Sequence, residues 1–280
     1  MGARETLLLG DVQGALAILK QDVRRAPGDP RLRTFLFQLF CVTGEWERAL
    51  AQAAVAAELD PAAAEMAQAY QAAIRCEMLR EKVFRGERSP TVLGDPGPWL
   101  PLLIEATRLL ATGQAGEAAR LRDAAFAAAP ETTGVMDDTA FAWIADADPR
   151  LGPVLEAFIN GSYMWIPFIH VRALQLDPPA DLRDQVWMPA HFTWSNDGEA
   201  VGFIPTRYPG SAAAADPALA LSRRTDWYDA GGDWSLPLGQ RVLVTDTAET
   251  ALMDIRRLSI APASTGAPAS TGAPAATGLA

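Results

Sequence analysis

Apolar residues in the first half of the chain recur at spacings of three and four residues, which is the pattern of amphipathic helices. One face of the helix predicted at residues 11–25 carries four of them, namely Val12, Leu16, Leu19 and Val23. Further helices are predicted at residues 6–9, 31–43, 45–58, 61–86, 99–111 and 114–129. Asp60, which precedes Pro61, is expected to cap the longest of these helices.

Three of the predicted helices share one arrangement of glycine, alanine and proline. Each follows a glycine, with an alanine five residues after the glycine and a proline seventeen residues after it. Gly10 and Gly44 are 34 residues apart, and Gly44 and Gly113 are 69 apart, about twice that spacing. Small residues let paired helices pack closely, and proline ends each pair. The first half is therefore predicted to be an array of tetratricopeptide-like helical repeats.

The helix predicted at residues 31–43 carries more apolar residues than one buried face requires. It is either buried on two sides or presents an apolar strip to a partner. A short array would leave such a strip open to an incoming amphipathic helix. The candidate partner-binding residues are Phe35, Leu36, Leu39 and Phe40, with Trp46 at the rim. The same residues also fit an ordinary core between helices, and the sequence leaves both interpretations open.

The pattern changes near residues 131–136, where alanine becomes rarer and aromatic and β-branched residues become frequent. Alternating residues predict strands at 186–194 and 200–204, joined by a turn at 196–198. Strands are also predicted at 241–245 and 252–260 and a short helix at 151–160, while 165–176 fit either helix or strand. The second half is therefore predicted to be a mixed α+β domain with a mostly antiparallel sheet.

These patterns divide the chain into a helical domain at residues 1–131, an α+β domain at 132–260 and a tail at 261–280. Residues 89–98 are rich in proline and glycine, which predicts a loop inserted within the helical array. The tail repeats Ala-Ser-Thr-Gly-Ala-Pro at 263–268 and 269–274. Because it has so little apolar bulk to bury, the tail is predicted to be disordered.

The composition is typical of a globular protein, with 49% hydrophobic and 21% charged residues. A net charge of −10 argues against nucleic-acid binding, which requires a basic face, and against anionic membranes. No apolar run reaches the length of a membrane span. Cys41 and Cys76 fall on predicted helices and are expected to be buried thiols.

Candidate catalytic residues are few. Asp146 and Asp148 lie beside Arg150, but a metal site would need a third ligand, and an aspartate before a proline is common in turns. The chain has no Walker loop, no Gly-x-Ser-x-Gly elbow and no zinc pattern around its two histidines. An enzyme with a site around Asp146, Asp148, Arg207 and His191 is therefore kept as an alternative hypothesis.

Arg207, Tyr208 and the turn at Gly210-Ser211 fit either an anion site or a structural loop held against Asp226 or Trp227, and the loop is favoured. The second half also holds six of the eight tryptophans, namely Trp143, Trp165, Trp187, Trp194, Trp227 and Trp234. Most of these rings are expected to fill the core of a small domain rather than line a binding cleft.

Several segments resemble the ImpE/TagJ family, the accessory proteins of bacterial type VI secretion systems. The resemblance covers residues 7–260, and Pro149 departs from it where a small polar residue is expected. The segments in the first half are Leu36-Phe37-Gln38-Leu39, Gly44-Glu45-Trp46-Glu47-Arg48-Ala49 and residues 77–86. Those in the second half are residues 141–153, 161–168, 182–187, 204–211 and 224–227.

The resemblance implies a cytoplasmic, non-enzymatic adaptor that binds the contractile sheath through an N-terminal helix of its small subunit. It implies no cofactor, no metal, no catalytic residue and no small-molecule substrate. The repeats are independently compatible with a helix-binding scaffold. A general tetratricopeptide scaffold for another client is a further alternative, which the sequence does not separate from the sheath adaptor.

Overall fold

The computed structural model describes residues 2–262, and its first part is built of helices. The helices predicted in the first half are confirmed, but Asp60 caps the 3₁₀ turn Pro61–Ala63 rather than the longest helix, which begins at Ala64. Its carboxylate accepts a hydrogen bond from the backbone N–H of Ala62 at 3.0 Å. Helices α1 and α2, α3 and α4, and α6 and α7 pack as neighbouring pairs. The bounds are α1 Ala3–Leu8, α2 Val12–Arg25, α3 Pro30–Thr43, α4 Trp46–Leu59, α5 Ala64–Phe84, α6 Leu100–Ala111 and α7 Ala115–Ala128.

Gly44 ends α3 in the left-handed conformation, with φ of +70°. Residues with a Cβ atom rarely adopt this conformation, which is why glycine commonly follows the end of a helix. The backbone N–H of Glu45 then bonds back to the carbonyl of Phe40 at 2.9 Å. This tight turn lets α4 fold back directly against α3, with the small residues Ala49 and Ala53 buried in the core.

The second part is a mostly antiparallel sheet, as predicted. Nine strands run in the order β1-β6-β5-β9-β8-β7-β14-β2-β3, and only β1 and β6 pair in parallel among the pairs described. Smaller sheets pair β10 with β11 and place β12 between β13 and β4. The strands are β1 Thr91–Val92, β2 Gly134–Met136, β3 Thr139–Phe141, β4 Ile144–Asp146, β5 Val154–Ile159, β6 Ser162–Pro167, β7 Val171–Leu176, β8 Trp187–Trp194, β9 Glu199–Pro205, β10 Thr225–Asp229, β11 Ser235–Gly239, β12 Val242–Thr245, β13 Glu249–Ala251 and β14 Arg257–Ile260; a short helix, α8, spans Pro217–Ala220.

The short helix predicted at residues 151–160 is wrong, because this segment contains strand β5. All six residues of β5 are buried, since the helices cover one face of the sheet and a second apolar cluster covers the other. Val154 and Phe158 belong to the first cluster, whereas Leu155 and Ala157 belong to the second. A strand buried on both faces shows no alternation, so its sequence resembles that of a buried helix.

The predicted loop at residues 89–98 also contains a strand. Thr91 and Val92 form β1 and pair with Met164 and Trp165 at the edge of the large sheet. The backbone N–H of Leu93 adds a hydrogen bond to the carbonyl of Trp165 at 3.1 Å. The segment between the helices therefore joins the helical part to the sheet.

The remaining predictions for the second half have mixed outcomes. Residues 165–176, which fitted either helix or strand, contain the end of β6, a 3₁₀ turn and β7. The strands predicted at 186–194 and 200–204 are confirmed. The strand predicted at 252–260 is wrong in its first part, because Leu252–Asp254 form a 3₁₀ turn. Residues 263–280 of the predicted tail lie outside the described residues.

One apolar core is shared by the helices and the sheet. Phe37 and Ile74 from the helices lie in the same buried cluster as Phe158, Trp165 and Trp187 from the strands. The last helix of the first part ends at Ala128, and the first strand that follows it begins at Gly134. The domain division between residues 131 and 132 stays a prediction, because the two parts are packed against each other through this core.

Candidate partner-binding site

Four of the five predicted partner-binding residues lie on helix α3, and the fifth, Trp46, begins α4. Asp29 caps α3, Pro30 occupies its first turn, and its neighbours are α2, α4 and the 3₁₀ turn at 182–185. Contact with neighbours on several sides explains why the sequence of α3 is apolar around most of its circumference. Exposed fractions range from 0 to 8% in the predicted set, which is Phe35, Leu36, Leu39, Phe40 and Trp46.

The five residues differ in what surrounds them. All five belong to the shared core, and Leu39 is the most deeply buried of them. Trp46 packs its ring 5.9 Å from that of Trp187 and donates its Nε1–H to Glu81 at 2.6 Å, which places it where α4 meets α5 and the sheet. Phe35 alone among the five borders the large cleft described next. Their role in binding a partner stays a prediction.

A cleft of about 990 Å³ opens between the helices and the second part of the chain. Helices α1 and α3 form one wall, and residues 179–185 with Leu221 and Arg223 form the other. Gln38 joins the walls, because its Nε2–H donates to Asp181 Oδ1 at 3.1 Å. Arg223 joins them again by donating to the backbone carbonyls of Leu7 and Leu8 at 3.2 and 3.3 Å.

The cleft is both basic and apolar. Leu8 of α1 is 75% exposed at its edge, and Phe35 forms part of its surface. Arginine outnumbers aspartate among the charged residues that line it, which are Arg4, Arg31, Arg183, Arg223, Asp60 and Asp181. A basic cleft is unexpected in a chain with a net charge of −10. Such a surface attracts a ligand that combines apolar and acidic groups.

Arg183 is held rigidly beside the cleft. Its guanidinium lies 4.4 Å from the centre of the Tyr70 ring, and its Nε and Nη2 atoms donate to Asp181 at 2.7 and 2.9 Å. Burial is the largest single influence and opposes the arginine charge, but the hydrogen bonds to Asp181 together with the nearby negative charges of Asp181 and Asp184 and the contact with Tyr70 outweigh it and raise the pKa of Arg183. Burial also raises the pKa of Tyr70 to about 12, so the phenol stays neutral near pH 7.

A buried network of charges joins the helices to the sheet. Glu156 on β5 accepts two hydrogen bonds from Arg80 on α5, both at 2.8 Å, and a third from Arg241. Tyr163 donates to the same carboxylate at 2.5 Å, and Arg80 also donates to Glu77 at 2.8 Å. Burial acts against the charge of Glu156, but the two arginines outweigh it and lower its pKa to about 2.

The residues of the alternative enzyme hypothesis take part in structural contacts. Asp146 bonds with Arg241 and Tyr208, and burial raises its pKa to about 6. Asp148 accepts hydrogen bonds from Arg150, including one at 2.5 Å from Nη2. His191 lies apart from them on an exposed position of β8, where it pairs with Gln175 and Val201.

Arg207 holds the loop that follows β9 against the helices. It donates to the backbone carbonyls of Cys41 and Val42 at 2.7 Å and to that of Ala220 at 2.6 Å. The favoured structural interpretation of Arg207 and Tyr208 thus fits the geometry, but the predicted partners are wrong. Asp226 and Trp227 are exposed on β10, whereas the partners of Arg207 lie at the end of α3 and in α8.

Sequence reasoning missed the residues that organise the network and the far wall of the cleft. Glu156 carried a usable signal, because it is the one charged residue in the apolar run at 154–159, and a buried charge requires a partner. Arg183 carried a weaker sequence signal, because it lies in the segment at 182–187 that contributes to the family resemblance.

No helix within residues 2–262 is both long and apolar enough to cross a membrane, and no three metal-binding side chains cluster in that part of the chain.

Comparisons with known proteins agree with this architecture. A family model described as "ImpE protein" matches residues 138–259. The chain is 46% identical over 262 residues to the type VI secretion system accessory component TagJ of Pseudomonas aeruginosa, an alignment that covers 94% of this chain and 92% of that protein. Its fold is similar to the crystal structure of protein VPA1032 from Vibrio parahaemolyticus, with a TM-score of 0.85 at 24% identity, covering 92% of this chain and 97% of that one. The chain therefore belongs to the ImpE/TagJ family.

Proposed function

We propose that this protein is a cytoplasmic adaptor of a bacterial type VI secretion system. The observation that carries the proposal is the 46% identity, over 94% of this chain, to a protein named as an accessory component of such a system. The adaptor binds the contractile sheath through an N-terminal helix of the small sheath subunit. A scaffold of paired helices joined rigidly to a sheet suits this task, since it can present a preformed surface to one amphipathic helix.

The proposed docking position is the cleft beside α3. Phe35, which is 8% exposed, borders this cleft, and Leu36, Leu39 and Phe40 hold α3 in place from within the core. An incoming helix would place apolar residues against Phe35 and Leu8 at spacings of three and four residues. The Trp46 ring packs against that of Trp187 on β8 and so keeps α4 against the sheet.

The geometry gives less support to the enzyme hypothesis. Asp146 and Asp148 each face an arginine, and Arg207 bonds to backbone carbonyls. Carboxylates paired with arginines, and an arginine bound to backbone carbonyls, fix the packing of loops and strands. His191 is exposed and lies away from these three residues. The adaptor is accordingly proposed to turn over no substrate.

The test is a pull-down with the purified full-length protein and two forms of the small sheath subunit from the same bacterium. One form is complete, and the other lacks its first helix. The proposal expects retention of the complete subunit and loss of the truncated one. Equal retention of both forms would contradict binding through the first helix, and retention of neither while another secretion-system protein binds would favour a general scaffold.

A further inference from the structure

The outward side of α5 carries two apolar residues between positive charges. The buried residues of this helix lie on its other side. The outward residues occupy positions three and four apart and, with one residue beyond the helix, border a recess of about 480 Å³: Arg75, Met78, Leu79, Lys82 and Arg88. The two apolar side chains are half-buried and the three basic ones are exposed. This surface, called the basic face below, has an apolar centre and a positively charged rim.

The charges of the basic face are not neutralised by ion pairs within residues 2–262. Glu81 and Glu87 lie on the same segment of the chain, but both pair with Arg85 instead. The three basic residues of the face have no carboxylate oxygen within 4 Å in that part of the chain. Because the whole chain carries a net charge of −10, such a surface is complementary to the protein's own acidic parts.

A surface of the opposite character lies on the hairpin of β10 and β11. Trp227 and Tyr228 are 47% and 43% exposed, although large aromatic side chains are usually well buried. Asp229 and Asp233 of the same hairpin are exposed as well and belong to no ion pair of the described residues. These four residues, called the acidic hairpin below, combine exposed aromatic rings with negative charge.

The acidic hairpin is also open along one edge. Among the strands described, β10 pairs with β11 alone, so no strand covers its other side. Open strand edges and exposed apolar side chains are both typical of surfaces that contact another protein. Exposed aromatic rings beside an open edge therefore mark the hairpin as a contact surface.

We propose that the basic face of one copy of this protein binds the acidic hairpin of a second copy. Trp227 packs against Met78 and Leu79, because aromatic rings make favourable contacts with sulfur and aliphatic groups. Lys82 lies beside the carboxylate of Asp229 at the rim of this contact. A single chain carries both halves of the contact, so copies of this protein suffice to form it.

A contact between two different surfaces has a structural consequence. Each copy in a pair keeps one basic face or one acidic hairpin open, so further copies can join head to tail. Neither surface includes a residue that lines the cleft beside α3. The proposal therefore does not depend on sheath binding, and either can fail without the other.

Analytical ultracentrifugation of the full-length protein, from micromolar to millimolar concentration, measures the self-association. Lys82→Glu reverses a charge on the basic face, and Asp229→Lys reverses one on the acidic hairpin. Arg24→Glu and Asp177→Lys are matched controls, because they make equal charge changes at exposed positions outside both surfaces. Thermal melts of the four variants should match that of the wild type, since all four side chains are exposed.

The average mass of the wild type should rise with concentration, and less so at high salt. Each of the two reversals should weaken association more than about tenfold at low salt, because like charges then meet across the contact. Asp229→Lys is the sharper test. Replacing an acid by a base changes the net charge from −10 to −8 and reduces general repulsion between copies, yet the proposal expects weaker association. Both controls should associate like the wild type.

A mixture of the two reversal variants tests the pairing itself. Lys82→Glu keeps its acidic hairpin and Asp229→Lys keeps its basic face, so the mixture should form dimers although neither variant associates alone. A mixture that stays monomeric overturns the proposal. A wild type that stays monomeric at every concentration, or association that either reversal leaves unchanged, also overturns it.

Discussion

Arg80 and Glu156 lie 76 positions apart in the chain and form a buried, two-pronged ion pair. Nε and Nη2 of Arg80 each donate to a different oxygen of the Glu156 carboxylate at 2.8 Å. The exposed fractions of the two side chains are 1% and 0%. The pair connects the longest helix, α5, to strand β5 of the large sheet and so holds the helical part against the sheet.

Removing Arg80 should therefore destabilise the whole chain. Arg80→Met leaves part of the Glu156 and Glu77 charge buried without its partner, and we expect a loss of about 3–5 kcal/mol in the free energy of unfolding. Urea denaturation followed by tryptophan fluorescence measures this change in the free energy of unfolding. Arg48→Met is the control, because its pair with Glu45 is largely exposed and contributes little. Equal stability of the two variants would contradict the role assigned to the buried pair.

The same network predicts how stability depends on pH. The folded pKa of Glu156, about 2, lies below its ordinary value of 4.5. The charged carboxylate therefore stabilises the fold above about pH 4.5, and this contribution, about 3 kcal/mol, is lost as the pH falls towards 2. Asp146 acts in the opposite direction, because its pKa in the folded protein is raised to about 6. The stability gained from protonating Asp146 in the folded state is therefore lost as the pH rises through about 6.

Comparison with Glu156→Gln isolates the effect of Glu156. The difference in unfolding free energy between the wild type and this variant should be largest near neutral pH and should shrink below pH 4.5. Denaturant titrations at several pH values measure the difference. A difference that stays constant down to the lowest pH at which both proteins fold would show that Glu156 keeps an ordinary pKa.

Leu39 and Phe35 should respond differently to substitution. Leu39 is fully buried, so Leu39→Glu places a charge in the core and should unfold the protein without any partner present. Phe35 borders the cleft, so Phe35→Leu should cost only about 1 kcal/mol in stability while weakening the binding of the sheath helix. Thermal melts and peptide titrations measure the two effects. A native melting temperature for Leu39→Glu would show that this position is open rather than core.

Gly44 offers a test of the turn between α3 and α4. Gly44→Ala should destabilise the protein by about 1–2 kcal/mol from left-handed strain alone. A further cost should follow because the added Cβ would lie 3.0 Å from the Cβ of Ala212. Gly113→Ala is the matched control, since Gly113 has φ of +83° but no atom within 4 Å of an added Cβ. If both variants lose the same stability, the contact with Ala212 is not tight.

The sequence predicted the fold class because most of the helices are amphipathic. Val12 and Leu16 mark a buried face in α2, and the glycine at 44 and proline at 61 mark the ends of neighbouring helices. The same reasoning failed at β5, where burial on both faces removes the alternation that identifies a strand.

Local sequence patterns could not predict the cleft, because its walls come from distant parts of the chain. Its walls meet through Gln38 and Asp181, which are 143 positions apart. Arg183 and Gln185 look like ordinary polar residues of a surface loop until the fold brings them against Tyr70 and α3. Phe35 could be named from its apolar helix, but the sequence held no signal to separate it from Leu39, which lies in the same helix and is fully buried.

Binding of the sheath to this protein is measured most directly by a calorimetric titration of the wild-type protein with the complete small sheath subunit. We expect saturable binding with one subunit per adaptor and full competition by a peptide of the subunit's first helix. Binding that the peptide fails to displace would contradict recognition through that helix. The absence of any binding by a correctly folded wild-type protein would contradict the sheath adaptor itself.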